Sequence, residues 1–549
     1  MVTNKYITRI ASVIMAAAVI LCLMASLFSD KLQEVYGNNA VTMKYESKLF
    51  NTDQIMDIDI LMDEDDWNNM LENAISEEYY SCNVVVNGKT FYSVGIRPKG
   101  NTSLSSIAND PDTDRYSFKL EFDHYIEGQT CYGLDKLILN NNYADATNMK
   151  EAIVYDMYQY LGVDASLYNY AKISVNGDYR GVYLALEAVE DSFMLRNYGT
   201  EDGNLYKPES MGIGGGVDGN GFPQKGEMPD GEDFPQMGEA PNGEAADIKM
   251  GIMGGNGGAD LNYTDDDLDS YSTIWDGEIT DSDKKDHKRV VEALKNISEG
   301  TDLETYMDVD NILKYMAVHT FVVNDDSLSG TMAHNYYLYE YNGKLNILPW
   351  DYNLSFGGMS MGGKMGGQSL GATSVINDAI DTPFSITDFF DALLENEEYL
   401  EQYHGYLNEL VEKYVNGGEF EKTYERIRSQ IDDLVGNDPT AFYSYEEYEE
   451  AANMLIEVVQ LRAKSVSGQL AGTIPSTDEG QQQDSSNLID GSDIDLSVMG
   501  SFSGGGGGNE GQGKDNGFAG TPQPFDAGDV SPISEEKADL QDSNQDSVK

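Results

Sequence analysis

The sequence predicts an α+β fold in which a sheet-rich first part is followed by a helical second part. Two Asn-Gly pairs, at residues 87–88 and 176–177, separate β-rich runs in the first part, a pattern typical of tight hairpins. Apolar residues recur with helical spacing over residues 282–297 and 309–323, and helices are predicted again over about 385–470. With 40% hydrophobic residues the chain can bury a sizeable core.

The elements of the first part follow from local patterns. Alternating apolar residues predict a strand that ends near Met62, and the acids after it begin a helix. Residues 115–123 and 136–142 read as further strands, and residues 147–161 as an amphipathic helix ended by Gly162. In the second part, a third Asn-Gly pair at 342–343 predicts a short hairpin.

Three segments lack the residues needed for a core. Residues 208–263 and 357–371 are rich in Gly and Met, and residues 471–549 are rich in Gly, Ser and acids. We therefore expect two disordered inserts and a disordered acidic tail around a folded domain at 48–470. The net charge of −60, from 35 basic and 95 acidic residues, argues against nucleic-acid binding, because the chain would repel a phosphate backbone.

The first 30 residues carry a targeting signal. Lys5 and Arg9 precede an uncharged run over residues 10–28 that is just long enough to cross a bilayer. A membrane anchor and a cleaved signal peptide are both compatible with this pattern. Either one places the rest of the chain outside the cytoplasm, at a membrane or cell surface or as a secreted protein.

Only two cysteines lie beyond this segment. Cys82 and Cys131 could form one disulfide or remain two separate thiols, and the spacing favours neither. Since no pair of Cys or His residues has zinc-ligand spacing, a structural zinc ion is not expected.

The segment at residues 324–356 concentrates the candidate chemistry. Asp325 and Asp326 precede the predicted hairpin and Asp351 follows it, so the fold can bring them to one end, together with Asn335. Carboxylate and amide oxygens suit Mg²⁺. Capping of turns is the ordinary alternative for such residues.

The order of these residues resembles that of protein kinases, which place a catalytic Asp, a metal-binding Asn, a hairpin and a metal-binding Asp in sequence. The chain further resembles the CotH family, the spore-coat-protein-H-like atypical kinases, over about residues 55–463. Four blocks carry the resemblance: RPKGNTS at 97–103, GVYLALE at 181–187, HNYYLY at 334–339 and PWDYN at 349–353. The resemblance implies a two-lobed, kinase-like fold with a sheet-rich N-lobe and a helical C-lobe.

The resemblance also implies roles for individual residues. Asp326 is expected to accept the proton of the substrate hydroxyl, with Asp325 as the alternative base. Asp351 is expected to bind the metal ion that bridges the nucleotide phosphates, Asn335 a second metal ion, and Asn353 to assist. The implied cofactors are ATP and Mg²⁺ or Mn²⁺, and the implied partner is a protein with Ser or Thr acceptors.

Five further residues are candidates for nucleotide binding. Arg97 and Lys99 flank a Gly-Asn turn that could cradle phosphates. Lys119 is the candidate phosphate-binding lysine, and Glu151 is the acid expected to orient it. Glu187 could line the adenine or the hinge between lobes. An ordinary polar turn and solvent-exposed strand residues are the alternatives.

Two functions remain open from the sequence. The first is an exported atypical kinase that transfers the γ-phosphoryl group of ATP to Ser or Thr of surface or spore-coat proteins. The second is a non-catalytic scaffold of the cell surface or spore envelope that keeps a kinase-like fold. The three residues Asp326, Asn335 and Asp351 favour the first, whereas the scarcity of ATP outside cells favours the second.

Overall fold

Seven strands of the first part close into a barrel. The structure, a computed structural model, describes residues 40–208, 257–330, 333–359, 371–384 and 386–502. The barrel strands are β1 Met56–Leu61, β2 Tyr80–Val86, β3 Lys89–Lys99, β4 Ser117–Glu121, β5 Lys136–Asn140, β6 Tyr168–Val175 and β7 Asp178–Glu187. Their order is β1-β2-β3-β4-β5-β7-β6, and parallel pairing of β6 with β1 closes the barrel.

The hairpins predicted from Asn-Gly pairs are confirmed. Val86 pairs with Lys89 across Asn87-Gly88, and Val175 pairs with Asp178 across Asn176-Gly177. Both turn residues of the first hairpin have positive φ, 48° at Asn87 and 80° at Gly88. Asn and Gly tolerate this conformation, which matches the twist of the flanking strands.

The alternation of residues along the strands separates two surfaces of the barrel. Ile96 and Phe118 point into the barrel, where they join its buried core. Arg97, Lys99 and Lys119 alternate with them and therefore lie on the outer face of β3 and β4. Three of the predicted nucleotide-binding residues therefore lie on this outer face.

Helices and a small sheet form the rest of the described chain. The sheet has the order β10-β9-β8, with β8 Asn204–Tyr206, β9 Tyr336–Tyr341 and β10 Lys344–Pro349. The α-helices are α1 Lys44–Lys48, α2 Glu64–Glu72, α3 Thr102–Ala108, α4 Lys150–Leu161, α5 Asp191–Tyr198, α6 Ser272–Asp276, α7 Lys284–Ser298, α8 Leu303–Tyr306, α9 Val309–Val322, α10 Ala372–Ile376, α11 Asp391–Leu394, α12 Glu397–Glu409, α13 Glu419–Gly436, α14 Tyr445–Leu470 and α15 Asp478–Gln483.

The predicted mixture of a sheet-rich first part and a helical second part is confirmed, but a clear two-lobed kinase arrangement is not seen. A closed barrel stands in place of the expected N-lobe, because β6 pairs with β1 and leaves that sheet without an open edge. The outer face of β6 and β7 also shares one apolar core with α4, α9 and α14. The helical part therefore packs directly onto the barrel.

The predicted limits of the low-complexity segments need correction. Residues 257–263 pack on the body through the buried side chains of Ala259 and Leu261, so the first insert ends earlier than Tyr263. The tail begins later than residue 471, because Ile474 and Met499 are buried against the body. Residues 209–256, 360–370 and 503–549 lie outside the described part of the chain.

Two further expectations concern the cysteines and the N-terminus. Cys82 and Cys131 are both buried and unlinked, which decides for two separate thiols. The predicted targeting segment at 1–30 lies outside the described residues. Within those that are described, no helix combines the length and the apolar character that a membrane span requires.

Candidate functional site

The loop after α9 holds Asp326 in a defined position. We call residues 324–330 the Asp326 loop; the Asp326 side chain is largely buried. The side-chain Nδ2 of Asn335 donates to the backbone oxygen and to Oδ2 of Asp326, both at 2.8 Å. The Nε2 atom of His334 lies 2.9 Å from Oδ1 of Asp326. The structure thus brings together Asp326 and Asn335, as the sequence predicted.

The loop itself is tight. A Cβ atom added at Gly330 would lie 1.6 Å from the backbone oxygen of Asp325, so only glycine fits there. Asp325 is partly buried, and burial followed by the charge of Asp326 raises the pKa of its carboxyl group. The carboxylate of Asp326 contacts both Asn335 and His334, so Asp326 is the acid that the structure joins to Asn335.

Asp351 follows β10 in a turn, residues 350–353, that we call the Asp351 turn. Its neighbours Trp350 and Tyr352 are buried and anchor the turn in the core. Among the described residues between 323 and 356, six non-glycine residues have positive φ: Val323, Ala333, Asn335, Asn342, Asp351 and Phe356. Each such residue costs on the order of 1–3 kcal/mol, and such strain clusters at functional sites.

The charges around Asp351 show which residues lie near it. Burial, and then the charge of Asp326, raise the pKa of the Asp351 carboxyl group, whereas Lys99, Lys207 and His334 oppose that rise. The acids from both ends of the hairpin are therefore close enough to interact. Lysines from the barrel and from the end of β8 face them.

Lys99 and Glu151 are joined through Asn140. The Nζ atom of Lys99 donates to Oδ1 of Asn140 at 3.2 Å, and Nδ2 of Asn140 donates to Oε2 of Glu151 at 2.9 Å. Burial lowers the pKa of Lys99, although Asp351 opposes the shift. Burial and the charge of Asp351 raise the pKa of Glu151 to about 8. An ammonium group held out of water in this way is suited to an anionic ligand.

Lys119 is not part of this cluster. Its Nζ atom lies 2.5 Å from Oε1 of Glu190, and Lys136 binds the other oxygen of the same carboxylate. The expected pairing of Lys119 with Glu151 is therefore wrong, because Glu190 neutralises Lys119 and Lys99 takes the predicted position near Glu151. The RPKGNTS block makes Lys99 a candidate for phosphate binding, but it does not predict that Lys99 lies near Glu151.

Arg97 lies on the same face as Lys99 and is engaged elsewhere. Its guanidinium group forms an ion pair with Glu77 at 2.8 Å and stacks on the ring of Tyr79. Asn353 also turns away from the acids, because its Nδ2 atom donates to the backbone oxygen of Tyr143 at 2.8 Å. Neither side chain joins the cluster around Asp351.

The side chain of Glu187 is enclosed by other parts of the protein and does not face an open site. Its side chain is fully buried and forms an ion pair with Arg196 at 2.6 Å. It also accepts hydrogen bonds from the hydroxyl of Tyr45 and from the backbone of Leu167. Both carboxylate oxygens of Glu187 are occupied by these contacts, so the structure does not support the expected role at the adenine or at the hinge.

Three residues of the cluster were missed from the sequence: Asn140, Lys207 and His334. Lys207 directly follows β8 and precedes a low-complexity segment, and the sequence around it predicted no functional site. His334 lies within the HNYYLY block, and its position beside Asn335 was the available clue. Asn140 is the last residue of β5, and the sequence there predicted a strand but no functional site.

The cluster provides ligands suited to a divalent cation. The carboxylates of Asp326 and Asp351 are hard oxygen donors, and the Oδ1 atom of Asn335 is left for a ligand because Nδ2 is turned to Asp326. Oε1 of Glu151 is buried without a hydrogen-bond partner among the described residues. In the described part of the chain, no group of three or more His, Cys, Asp or Glu residues could hold a metal alone. A bound cation would need ligands from phosphate or water.

The fold and the cluster define a mixed α/β protein in which acids from one hairpin meet lysines at the outer face of a barrel. Residues 96–466 match the family model described as CotH kinase protein, and the chain belongs to this family. The resemblance seen in the four sequence blocks is thereby confirmed. The chain is also similar to inner spore coat protein H of Bacillus subtilis (strain 168), with 21% identity over 362 residues that cover 66% of this chain and 84% of that protein.

Proposed function

We propose that this protein transfers the γ-phosphoryl group of ATP to a Ser or Thr hydroxyl of another protein in a Mg²⁺-dependent reaction. The observation that carries the proposal is the meeting of Asp326, Asn335 and Asp351 with the lysines Lys99 and Lys207. Phosphoryl transfer depends mainly on positioning and on charge neutralisation. This cluster contains groups for both tasks.

The two lysines would bind the phosphates. Lys99 and Lys207 both influence Asp351 electrostatically, so both ammonium charges lie near the carboxylate that would hold the metal ion. Asn140 would hold the Lys99 ammonium group in place through its hydrogen bond. Glu151, when ionised, would lower the cost of charging the partly buried Lys99.

Asp326 would act as the base. Its Oδ2 atom is oriented by Asn335, and the remaining lone pairs of the carboxylate can accept the proton of an acceptor hydroxyl. The proton would leave the hydroxyl as its oxygen attacks the γ-phosphorus, and ADP would leave on the opposite side.

Asp351 and the Oδ1 atom of Asn335 would hold the metal ion. When bound, Mg²⁺ or Mn²⁺ would supply positive charge that offsets the negative charge of the phosphates. The partly buried Asp351 carboxylate, whose pKa is raised in the absence of a cation, fits that role.

The substrate class comes from the relative and from the N-terminal sequence. The relative is named as an inner spore coat protein, and residues 5–30 resemble an export signal. We propose that the acceptor is a protein of the spore coat or cell surface, and that the enzyme works at that surface. The N-terminal segment would be its contact with the membrane.

A second candidate function is a non-catalytic scaffold of the spore envelope or cell surface. One observation favours it: both carboxylate oxygens of Asp326 already have partners, Oδ2 in Asn335 and Oδ1 in His334. In a scaffold, these contacts would only stabilise the Asp326 loop. In an active kinase, they would orient Asp326 as the base.

Nucleotide binding tests the proposal. Isothermal calorimetry of the full chain with ATP should give binding in the presence of Mg²⁺, and a large loss of affinity after addition of EDTA. The reason is that the chain carries a net charge of −60 and repels a bare triphosphate. Equal affinity with and without EDTA would contradict the proposed metal-bridged site.

A further inference from the structure

His319 lies in α9 between the two acid-bearing segments. Its side chain is buried. One ring nitrogen, Nδ1, lies 2.9 Å from the hydroxyl of Tyr352 in the Asp351 turn. The other, Nε2, lies 3.0 Å from Oγ of Ser329 in the Asp326 loop. One imidazole thus contacts both segments.

The direction of each hydrogen bond can be assigned. The Ser329 hydroxyl donates to the backbone oxygen of Asn324 at 2.8 Å, and a carbonyl can only accept. The single hydrogen of Ser329 is therefore used, and Nε2 of His319 must donate to Oγ. Burial lowers the pKa of His319 to about 3. The ring is neutral, so Nδ1 accepts from Tyr352.

The same chain of hydrogen bonds continues into α4. Because the Tyr352 hydroxyl donates to His319, it accepts from the hydroxyl of Tyr158 at 2.5 Å. Tyr158 belongs to the helix whose first turn carries Glu151. We call this series from Tyr158 through Tyr352, His319 and Ser329 to Asn324 the buried relay.

We propose that His319 is a positioning residue that fixes the Asp326 loop and the Asp351 turn in one mutual arrangement, because its Nε2 donates to Ser329 and its Nδ1 accepts from Tyr352. The kinetic part of this inference rests on the proposed phosphotransfer function. Its structural part, the Nε2–H tautomer and the relay, does not depend on it.

The positions of the bonds explain why the effect would fall on turnover. Tyr352 directly follows Asp351, and Ser329 stabilises the loop that carries Asp326. The relay therefore controls how the two acids stand relative to each other, while Lys99 and Lys207 lie on other elements. Misplacement of reacting groups by about 1 Å can cost up to about a hundredfold in rate.

The first arm of the test is the histidine tautomer. The chain has five histidines, so ¹⁵N-histidine labelling of the full chain gives a simple spectrum, and His319→Gln assigns the signal. At pH 7, we expect neutral His319 with its proton on Nε2. A proton on Nδ1, or a charged ring, would overturn the relay. This arm needs no enzymatic activity.

The second arm is a kinetic double-mutant cycle with Tyr352→Phe and Ser329→Ala. Each change should lower kcat by about tenfold and leave the KM for ATP within about threefold. The double variant should be no slower than the slower single variant, because either change breaks the same relay. A kcat about a hundredfold lower in the double variant, which is the product of the two single effects, would overturn the inference. A rise in KM alone would also do so.

Tyr403→Phe is the matched control. It removes another buried hydroxyl, one that donates to the backbone oxygen of Ile380 at 2.7 Å and takes no part in the relay. We expect kcat within about twofold of wild type, and an equal loss in this variant would overturn the inference. If the wild-type chain transfers no phosphate, the proposed function is wrong, and the tautomer still decides on the relay.

Discussion

The side-chain amide of Asn335 donates to both the backbone oxygen and the carboxylate of Asp326, at 2.8 Å in each case. Asn335 lies nine residues beyond Asp326 and has a φ of 59°, a conformation that asparagine adopts more readily than most residues. The contact joins the loop before the β9–β10 hairpin to the first residues of the hairpin. It also leaves Oδ1 of the amide for a ligand.

Asn335→Ala should lower phosphotransfer by at least about tenfold, about 1.4 kcal/mol, because a hydrogen bond to a charged group is lost. Initial rates with γ-labelled ATP measure this. Asn353→Ala is the matched control, since Asn353 binds the backbone of Tyr143 instead, and its rate should stay within about twofold. Equal rates in the two variants would contradict the role given to Asn335.

Lys99→Met should weaken Mg·ATP binding by at least about tenfold, because a cation facing Asp351 is removed. Lys119→Met should leave the affinity within about twofold, because Lys119 is paired with Glu190. Lys136 continues to neutralise Glu190 in that variant. Calorimetry on the two variants distinguishes the lysines, and the reverse order of effects would restore Lys119 as the phosphate-binding residue.

Glu187→Ala should lower the free energy of unfolding by about 3–5 kcal/mol, because it leaves Arg196 largely buried without its partner. Denaturant unfolding measures the loss. At temperatures where the variant is folded, its affinity for Mg·ATP should match that of wild type. A selective loss of nucleotide binding with normal stability would show that Glu187 lines the site after all.

Asp164→Asn should change stability in a pH-dependent way. Burial, and then the charge of Asp308, raise the pKa of Asp164 to about 6 in the folded chain, against about 3.9 when unfolded. The folded state therefore binds the proton more tightly, and that stabilisation is lost as the pH rises from about 4 to about 6. The variant should melt higher than wild type at pH 7, and the difference should shrink at pH 4. A difference that is independent of pH would contradict this assignment.

Local signals in the sequence were sufficient for the hairpins and for the grouping of Asp326, Asn335 and Asp351. Asn-Gly turns specify their own geometry, and the hairpin between the acids forces its two ends together. The choice between Lys99 and Lys119 could not be predicted. Both lie on one face of the sheet, and the choice depends on Glu190, which arrives from a distant part of the chain.

Closure of the barrel and the limits of the tail also depend on distant contacts. The parallel pairing of β1 with β6 joins segments more than a hundred residues apart, and no local pattern encodes it. Ile474 is an isolated apolar residue, and Met499 belongs to a short apolar run over residues 494–502 that is surrounded by Gly, Ser and acids. So short a run gave no reason to expect that residues 472–502 pack on the body.

The most direct test of the central claim is phosphotransfer and Mg·ATP binding by three isosteric variants, Asp351→Asn, Asp326→Asn and Asp325→Asn. Asp351→Asn should lose both binding and transfer, because the cation that neutralises the phosphates is lost. Asp326→Asn should lose transfer but keep Mg·ATP binding within about tenfold, about 1.4 kcal/mol. Asp325→Asn should retain both, and loss of transfer in this variant with an active Asp326→Asn would exchange the two roles. Wild-type transfer rates in all three variants would contradict the account of these acids as a kinase site.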